Sequence, residues 1–413
     1  MTQPPSRLLV AINDLRVYGA AIAQPTGMQR VAAGLAAALV KEHGAIPITI
    51  DARGARRTAL PTAAPGRAAS LAAPLLAALS RAPRSAQEQV RRVARTVLAG
   101  AARRGGAAEP MYRGDWIAVL GAPWIAPGTA DAVIAAKRRD SARIALLVHD
   151  LLPTTAQQWF ADAQGRAAQR DVEQLIAAAD ALFAVSPAVA AEIRARYGRS
   201  ATPLLPADLP LIGTTTPSAN ATGERIVLAV GTLHPRKNFA ALVRIWEAWA
   251  ARGAGSAAAT ASGASAVPPL VIAGRRHPQD GDLFAALSAA THARKAIILV
   301  HDASDAQLAD LYGRARFVVL PSLAEGWGLP VREAFAAGRP VITTDAVPAA
   351  LGSPFAAIVP ANDASTLAQT IEAWWSSDVP EKLSARLATE FHPRTWSSVA
   401  RELANALRDE RAG

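Results

Sequence analysis

The sequence predicts an α/β protein of two domains, each a parallel sheet layered with helices. Three observations predict it. A chain of 413 residues is long enough for two domains of ordinary size. Short apolar runs of strand type alternate with helical stretches from Leu8 to Thr343, the order of parallel strands joined by crossover helices. Between Thr202 and Glu224 that order lapses into TPLLPADLPLIGTTTPSANATGE. That stretch is rich in Pro, Ser, Thr and Gly, has one apolar piece at Leu209 to Ile212, and reads as the interdomain connection.

Apolar residues make up 51% of the chain, enough for two cores. There is no cysteine, which excludes disulfides, a thiolate nucleophile and Cys-ligated metal. Met1 to Arg7 is polar, and Leu8 to Ile12 is too short for the core of a signal peptide. No uninterrupted apolar run reaches the ~20 residues of a membrane-spanning helix. A soluble, cytoplasmic or peripheral protein is expected. The net charge of +11 is local: residues 52–108 hold eleven arginines, no lysine and one acid, Glu88, hence +10, which leaves +1 for the other 356 residues. Such a segment gives no ground for a whole-protein affinity for nucleic acid.

Leu8 to Ile12 is the first strand, followed by Asn13 and Asp14. A loop with Pro25 and Gly27 opens a helix, TGMQRVAAGLAAALVKE, that Thr26 can cap, with Gln29 at the capping-box position. Ile46 to Ile50 is the second strand. In the Arg/Ala-rich insertion 52–108, Ala86 to Leu98 is expected to form a helix with Val90, Val93, Ala94 and Val97 on one face. It reads as a basic helix for an anionic membrane surface, each nearby arginine adding about 1 kcal/mol. The alternative is a solvated insertion, since the apolar face has no Trp or Phe. Trp116 to Leu120 and Ala142 to Val148 are further strands. His149 and Asp150 follow the latter, at a strand end where ligands of parallel sheets gather. Asp150 either orients the imidazole or caps a turn. Ala167 to Ala179 is a helix. Ala181 to Val185 is a strand closed by Ser186 and Pro187, and Ala188 to Tyr197 the next helix.

The second domain opens with a strand, Arg225 to Val230, then GTLHPRKNF. A glycine followed by a basic pair at a helix head suits a pyrophosphate: the helix supplies N–H donors and the cations supply charge. Ala251 to Pro269 reads as a surface loop with no part in chemistry. Leu270 to Ala273 is a strand leading to Gly274 and Arg275. Asp280-Gly281-Asp282 is a literal Asp-x-Asp in a turn-rich stretch. Ile297 to Val300 is another strand, followed by a helix whose apolar face carries Leu308, Leu311 and Tyr312. Leu320 to Thr343, LPSLAEGWGLPVREAFAAGRPVIT, reads as strand, loop, helix, strand. Gly326 and Gly328 bracket Trp327, so the backbone can lie close to a ligand. Pro330 suits a first helical turn and Gly338 the helix end. Glu325 in the loop and Glu333 in the helix lie near the helix N-terminus, where free N–H groups also hold phosphate or sugar oxygens. FHPRTWSSVARELANALRDE reads as a last helix.

The stretch around Glu325 and Glu333 resembles the signature of retaining glycosyltransferases of family 4: Glu, seven residues, Glu, with a Gly-aromatic-Gly loop and an AxxxGxPVI ending. TGMQR, VHDLLP, the strand-Ser-Pro-helix pattern and G-x-x-x-x-R-K-N are similar to other stretches of that family. The resemblance implies a GT-B fold: two Rossmann-like domains with parallel sheets facing across a deep cleft, and a C-terminal helix crossing back. The boundaries would be 1–205 for the first domain, 206–224 for the linker, 225–385 for the second domain and 386–413 for the returning helix, with Trp396 packing there. It implies that Arg236 and Lys237 hold a donor diphosphate, and that Glu333 holds the ribose hydroxyls. Glu325 and the backbone of Trp327, Gly328 and Leu329 would hold the donor sugar. The base would lie near Gly274, Arg275 and Val300, with His301 a further candidate, and 345–351 would lie beside the cleft. His149 either faces the donor sugar or is a structural histidine. Gly27 either lies near phosphate or acceptor or begins a plain capped helix. Ser186 either lies near the cleft or caps a helix.

The function implied is retaining transfer of a sugar from a nucleoside-diphosphate sugar, GDP-mannose or a related donor, to a saccharide or lipid-linked saccharide in cell-surface polysaccharide synthesis. No cofactor and no metal are expected, because the two cations do a metal's work on the leaving diphosphate. No nucleophile stands out, and the family's same-face attack needs none. The alternatives are a GT-B epimerase, a phosphorylase (no pyridoxal-binding stretch is visible), and a catalytically silent nucleotide-sugar-binding scaffold recruited to a membrane assembly.

Overall fold

The computed structural model describes residues 6–21, 26–61, 106–208, 225–254 and 267–409. The proposed basic helix at 86–98 and the apolar piece Leu209 to Ile212 lie outside them. So does most of the Ala/Ser/Gly tract of Ala251 to Pro269. The chain divides into two compact units, Met1–Ala207 with Arg394–Gly413, and Asp208–Pro393.

The first unit is built on eight strands: β1 (Leu8–Ala11), β2 (Ile46–Asp51), β3 (Gly54–Arg57), β4 (Ala108–Glu109), β5 (Trp116–Val119), β6 (Arg143–Val148), β7 (Ala181–Ala184) and β8 (Thr202–Pro203). Their order is β4-β3-β2-β1-β5-β6-β7-β8. β1, β2 and β5 to β8 run parallel; β3 and β4 add an antiparallel edge. This edge lies at the two ends of the 52–108 insertion, for which the sequence suggests only the helix at 86–98. Those ends continue the sheet. GARR is too short and too basic to show apolar alternation, and only Ala55 of β3 is buried. Glu109 of β4, also buried, holds Arg7 and Arg57 at 2.7 and 2.8 Å.

The Gly27–His43 helix lays Val31, Ala32, Leu35 and Leu39 against the sheet. Its expected capping box does not form. The Thr26 hydroxyl donates to the Gln29 side chain and makes no cap bond to the helix backbone. The Trp396–Asp409 helix packs on this helix. Gly34 lies under Trp396, where a Cβ would sit 2.3 Å from the indole, so this crossing requires glycine.

The second unit has six parallel strands: β9 (Ile226–Val230), β10 (Leu270–Ala273), β11 (Ile297–Val300), β12 (Ala315–Leu320), β13 (Val341–Thr344) and β14 (Ala356–Val359). The order β11-β10-β9-β12-β13-β14 is that of a doubly wound sheet, with a switch point between β9 and β12. One face carries Trp246, Leu242, Phe317 and Ile371; the other carries Tyr312, Val318, Val331 and Phe335. The expected boundary at 386 falls inside the Val379–Glu390 helix, whose Leu387 is buried in the second unit, so the return to the first unit starts at Arg394. At the other end, Asp208 is already part of the second unit, held to Arg332 at 2.6 and 2.9 Å. Among the described residues no helix is long and apolar enough to cross a membrane.

Candidate active site

A buried cluster of opposite charges lies at the C-terminal ends of β9 and β12, where the winding of the second sheet reverses. After β9 the backbone swings through Gly231, with φ 153°, into the short turn Pro235–Lys237. Asn238 follows at φ 55°, a left-handed conformation that a non-glycine residue adopts at a cost. His234 steadies the turn: its Nδ1 accepts from Arg236 N–H at 3.2 Å. Burial, His277 at 4.4 Å and the neighbouring cations push His234 down to about 3, so it is the neutral ring that this bond requires.

The loop after β12 closes against this turn. Leu323 N–H donates to Arg236 O at 2.7 Å. Arg236 Nη1 donates to Ala324 O at 2.9 Å and to Glu325 Oε2 at 2.7 Å. Lys237 Nζ donates to Glu325 Oε1, and Ser322 Oγ donates to the same oxygen at 2.8 Å. The Lys237 and Glu325 side chains are each only 7% exposed. Burial works against ionising Glu325, but the charges and hydrogen bonds of Arg236 and Lys237 outweigh it and hold the carboxyl at about 2. Burial lowers Lys237 in turn, and the Glu325 charge opposes that. The basic pair and Glu325, given different roles from the resemblance, are thus one bonded group.

Gly328 has φ 108°, and a Cβ there would lie 2.4 Å from Val347 Cγ1. Ala349 N–H donates to Trp327 O at 2.9 Å, so the 345–351 segment packs on the Trp327 loop within this unit. Leu329 and Pro330 open the Leu329–Ala336 helix. Glu333, on that helix, is 4% exposed, and its Oε2 accepts from the Tyr312 hydroxyl at 3.0 Å. At the adjacent strand ends, a Cβ on Gly274 would lie 1.8 Å from Gly231 O, so at this point the turns after β9 and β10 meet backbone to backbone. Gly274 N–H donates to Val300 O at 2.9 Å, Arg275 Nε reaches Asp302 at 3.4 Å, and His301 stacks on Phe284. Asp280 of the Asp-x-Asp is buried against Arg276 at 2.8 Å. Among the described residues no group of three or more acids and histidines is placed to hold a metal ion.

In the first unit, His149 stands at the end of β6 and its Nε2–H donates to Leu120 O at 2.8 Å. Burial pushes it down to about 4, so the ring is neutral. It lines a small, mainly apolar cavity with Met28, Trp124 and Pro153. Asp150 caps the next turn, accepting from Leu152 N–H at 3.1 Å, and Ser186 caps its helix, accepting from Val189 N–H at 3.2 Å. Gly27 is the first residue of its helix. Sequence reasoning missed Ser322, His234 and the Tyr312 hydroxyl. The one signal for Tyr312 was a polar tip on an otherwise apolar helix face. It also passed over Asp14, which is buried with Oδ2 accepting from Ala122 N–H at 2.8 Å.

Residues 224–377 match the family described as glycosyl transferases group 1. A serotype-specific mannosyltransferase from Escherichia coli, WbdA, is 28% identical over 219 residues, covering 48% of this chain and 25% of WbdA. The chain thus spans about a quarter of the curated relatives it matches. Among solved structures, sucrose-phosphate synthase from Thermosynechococcus elongatus is similar over 99% of this chain and 100% of its own, at 18% identity and a TM-score of 0.63. Anabaena HepE, solved in complex with UDP, is similar over 98% and 100%, at 14% identity and a TM-score of 0.59. Trehalose 6-phosphate synthase from Burkholderia multivorans is similar over 99% of both chains, at 15% identity and a TM-score of 0.57. These structures share the GT-B fold, and this chain has it.

Proposed function

From a chain with the GT-B fold whose residues 224–377 carry a glycosyl transferases group 1 domain, we infer a retaining glycosyltransferase that uses a nucleoside-diphosphate sugar. The observation that carries this reading is the Arg236, Lys237 and Glu325 cluster at the switch point of the second sheet. Two cations held in place by a buried carboxylate are organised for a diphosphate before it arrives, and need no reorganisation when charge develops on the leaving group. Arg236 and Lys237 take the diphosphate. Glu333 takes the ribose hydroxyls, and Gly274, Arg275 and Val300 the base, with His301 beside them. Glu325 and the backbone of Trp327, Gly328 and Leu329 take the sugar. In the first unit, neutral His149 is a hydrogen-bonding group for substrate, and Gly27 a point of close backbone approach.

In the reaction, the acceptor hydroxyl attacks the anomeric carbon from the face the diphosphate leaves. The new C–O bond forms as the sugar–phosphate bond breaks, and the hydroxyl proton passes to the departing phosphate oxygen. The anomeric configuration is kept. No metal or further cofactor enters the scheme. A mannose donor, such as GDP-mannose, is favoured by the mannosyltransferase relative, and a saccharide or lipid-linked saccharide of a cell-surface polysaccharide is the proposed acceptor. The Arg-rich segment 52–108 is proposed to hold the protein at an anionic membrane surface near such an acceptor.

A thermal-shift panel of nucleoside diphosphates and their sugars tests the donor site. At 100 times its dissociation constant, the right nucleotide stabilises the wild type by about 2.7 kcal/mol. It should leave Arg236→Ala unmoved. A panel in which no nucleotide shifts the wild type would overturn the reading. A nucleotide sugar that binds, yet is neither hydrolysed nor transferred, would leave a binding scaffold instead.

A further inference from the structure

The hydroxyl of Tyr312 does something its position does not need. The ring is fully buried among Leu228, Val318, Leu320, Val331 and Phe335, and a phenylalanine would fill that space equally well. Instead the hydroxyl approaches Glu333 Oε2 at 3.0 Å and Pro330 O at 3.4 Å. The backbone around it is braced as well: Arg339 donates to Tyr312 O at 3.0 Å and to Gly313 O at 2.6 Å. From the other side, Asp208 holds Arg332, the neighbour of Glu333. The carboxylate of Glu333 is therefore oriented by a donor that is itself immobile. Each carboxylate oxygen accepts more than one hydrogen bond, so Glu333 can keep Tyr312 and still receive a diol.

We propose that Tyr312 is a positioning residue whose hydroxyl aims the Glu333 carboxylate at the ribose diol, and so sets a preference for ribonucleoside over deoxyribonucleoside diphosphates. This rests on the reading of Glu333 as the ribose-binding group. A buried acceptor that loses its hydroxyl partner discriminates against the analogue lacking it. A carboxylate left to swing loses that discrimination while the phosphate and base contacts remain.

The test is calorimetric titration of the full chain with GDP, 2′-deoxy-GDP, UDP and 2′-deoxy-UDP, on wild type, Tyr312→Phe and Glu333→Gln. The wild type should bind one ribonucleotide about tenfold more tightly than its deoxy form. Tyr312→Phe should lose that ratio by weakening the ribonucleotide alone, with deoxy affinity and binding stoichiometry unchanged. Equal weakening of both forms would mark Tyr312 as merely structural, and no change in either would also overturn the proposal. Loss of the ratio in Glu333→Gln but not in Tyr312→Phe would sink this inference and leave the ribose reading standing. A wild type that shows no ratio, or binds none of the four nucleotides, would remove both. If Tyr312→Phe does not fold, Glu333→Asp draws the carboxylate back from the hydroxyl by one methylene. The proposal expects that variant to lose the ratio too, and retention would overturn it.

Discussion

The two units each have a switch point, between β1 and β5 in the first and between β9 and β12 in the second, yet they treat charge in opposite ways. At the first, Asn13 spends its amide on Ile50, donating at 2.8 Å and accepting at 3.0 Å. Burial pushes the Asp14 carboxyl up, against the hydrogen bond from Ala122, and pushes His149 down to about 4. Both groups move toward neutrality. At the second, burial is as deep, but Glu325 faces two cations and is held at about 2. The winding of the sheet provides a crevice in both cases. The side chains at the strand ends decide whether the crevice is charged, and so which of the two suits an anion.

The largest expected effect breaks the second site. Lys237→Met or Arg236→Ala should lower kcat/KM for sugar transfer by about 10²–10³, the loss typical of a preorganised charge-stabilising donor. Lys237→Met should also cost about 3–5 kcal/mol of stability, because Glu325 is left buried with half its pairing. Denaturant unfolding reads this, and a paired Lys237→Met, Glu325→Leu variant should recover most of the loss. A single variant of wild-type stability would mean that the pair adds nothing.

Next in size is a contrast between glycines. Gly274→Ala drives a methyl into Gly231 O, a backbone atom, and should cost about 1–3 kcal/mol. Gly121→Ala meets the Asp14 carboxylate at 2.0 Å, a side-chain atom rather than backbone, and should cost less. Melting temperatures in the reverse order would contradict that ranking.

The smallest effects are in pH dependence. Glu325 lies below its ordinary 4.5 when folded, so its stabilisation is complete above about 4.5 and is lost as pH falls toward about 2. Asp14 is shifted the other way from 3.8: it imposes no penalty below that value and destabilises increasingly as pH rises above it. Glu325→Gln should therefore flatten the rise in stability between about pH 2 and 4.5, and Asp14→Asn should remove the fall that sets in above about 3.8. If both variants titrate like the wild type, the contrast between the two sites fails.

Much of this was legible in the chain because it is local. The strand-helix alternation, Pro330 at the helix start, Gly338 at its end with φ 68°, and the glycines around Trp327 follow from short-range backbone preferences. The candidate residues of the second unit came instead from the family resemblance, and the structure places Arg236, Lys237, Gly274 and Glu325 in the loops that follow β9, β10 and β12. The Thr26 capping box was misread for a related reason: the pattern permits the bond, and packing and side-chain geometry choose another partner.

By itself, then, the sequence determined two α/β domains, the strand ends proposed to carry chemistry, and the residue types found there. Tertiary structure decided the partners. Arg236 and Glu325 are 89 residues apart and meet only because β9 and β12 are neighbours in the sheet. Tyr312 reaches Glu333 because its helix and the next one flank β12 on one face. The ends of 52–108 became edge strands by pairing with β2 and with each other, a choice the basic sequence GARR does not advertise. Propensity acts over a few residues, whereas a charge pair or a buried hydroxyl is satisfied by whatever the fold brings within 3 Å, and neither periodicity nor spacing records that.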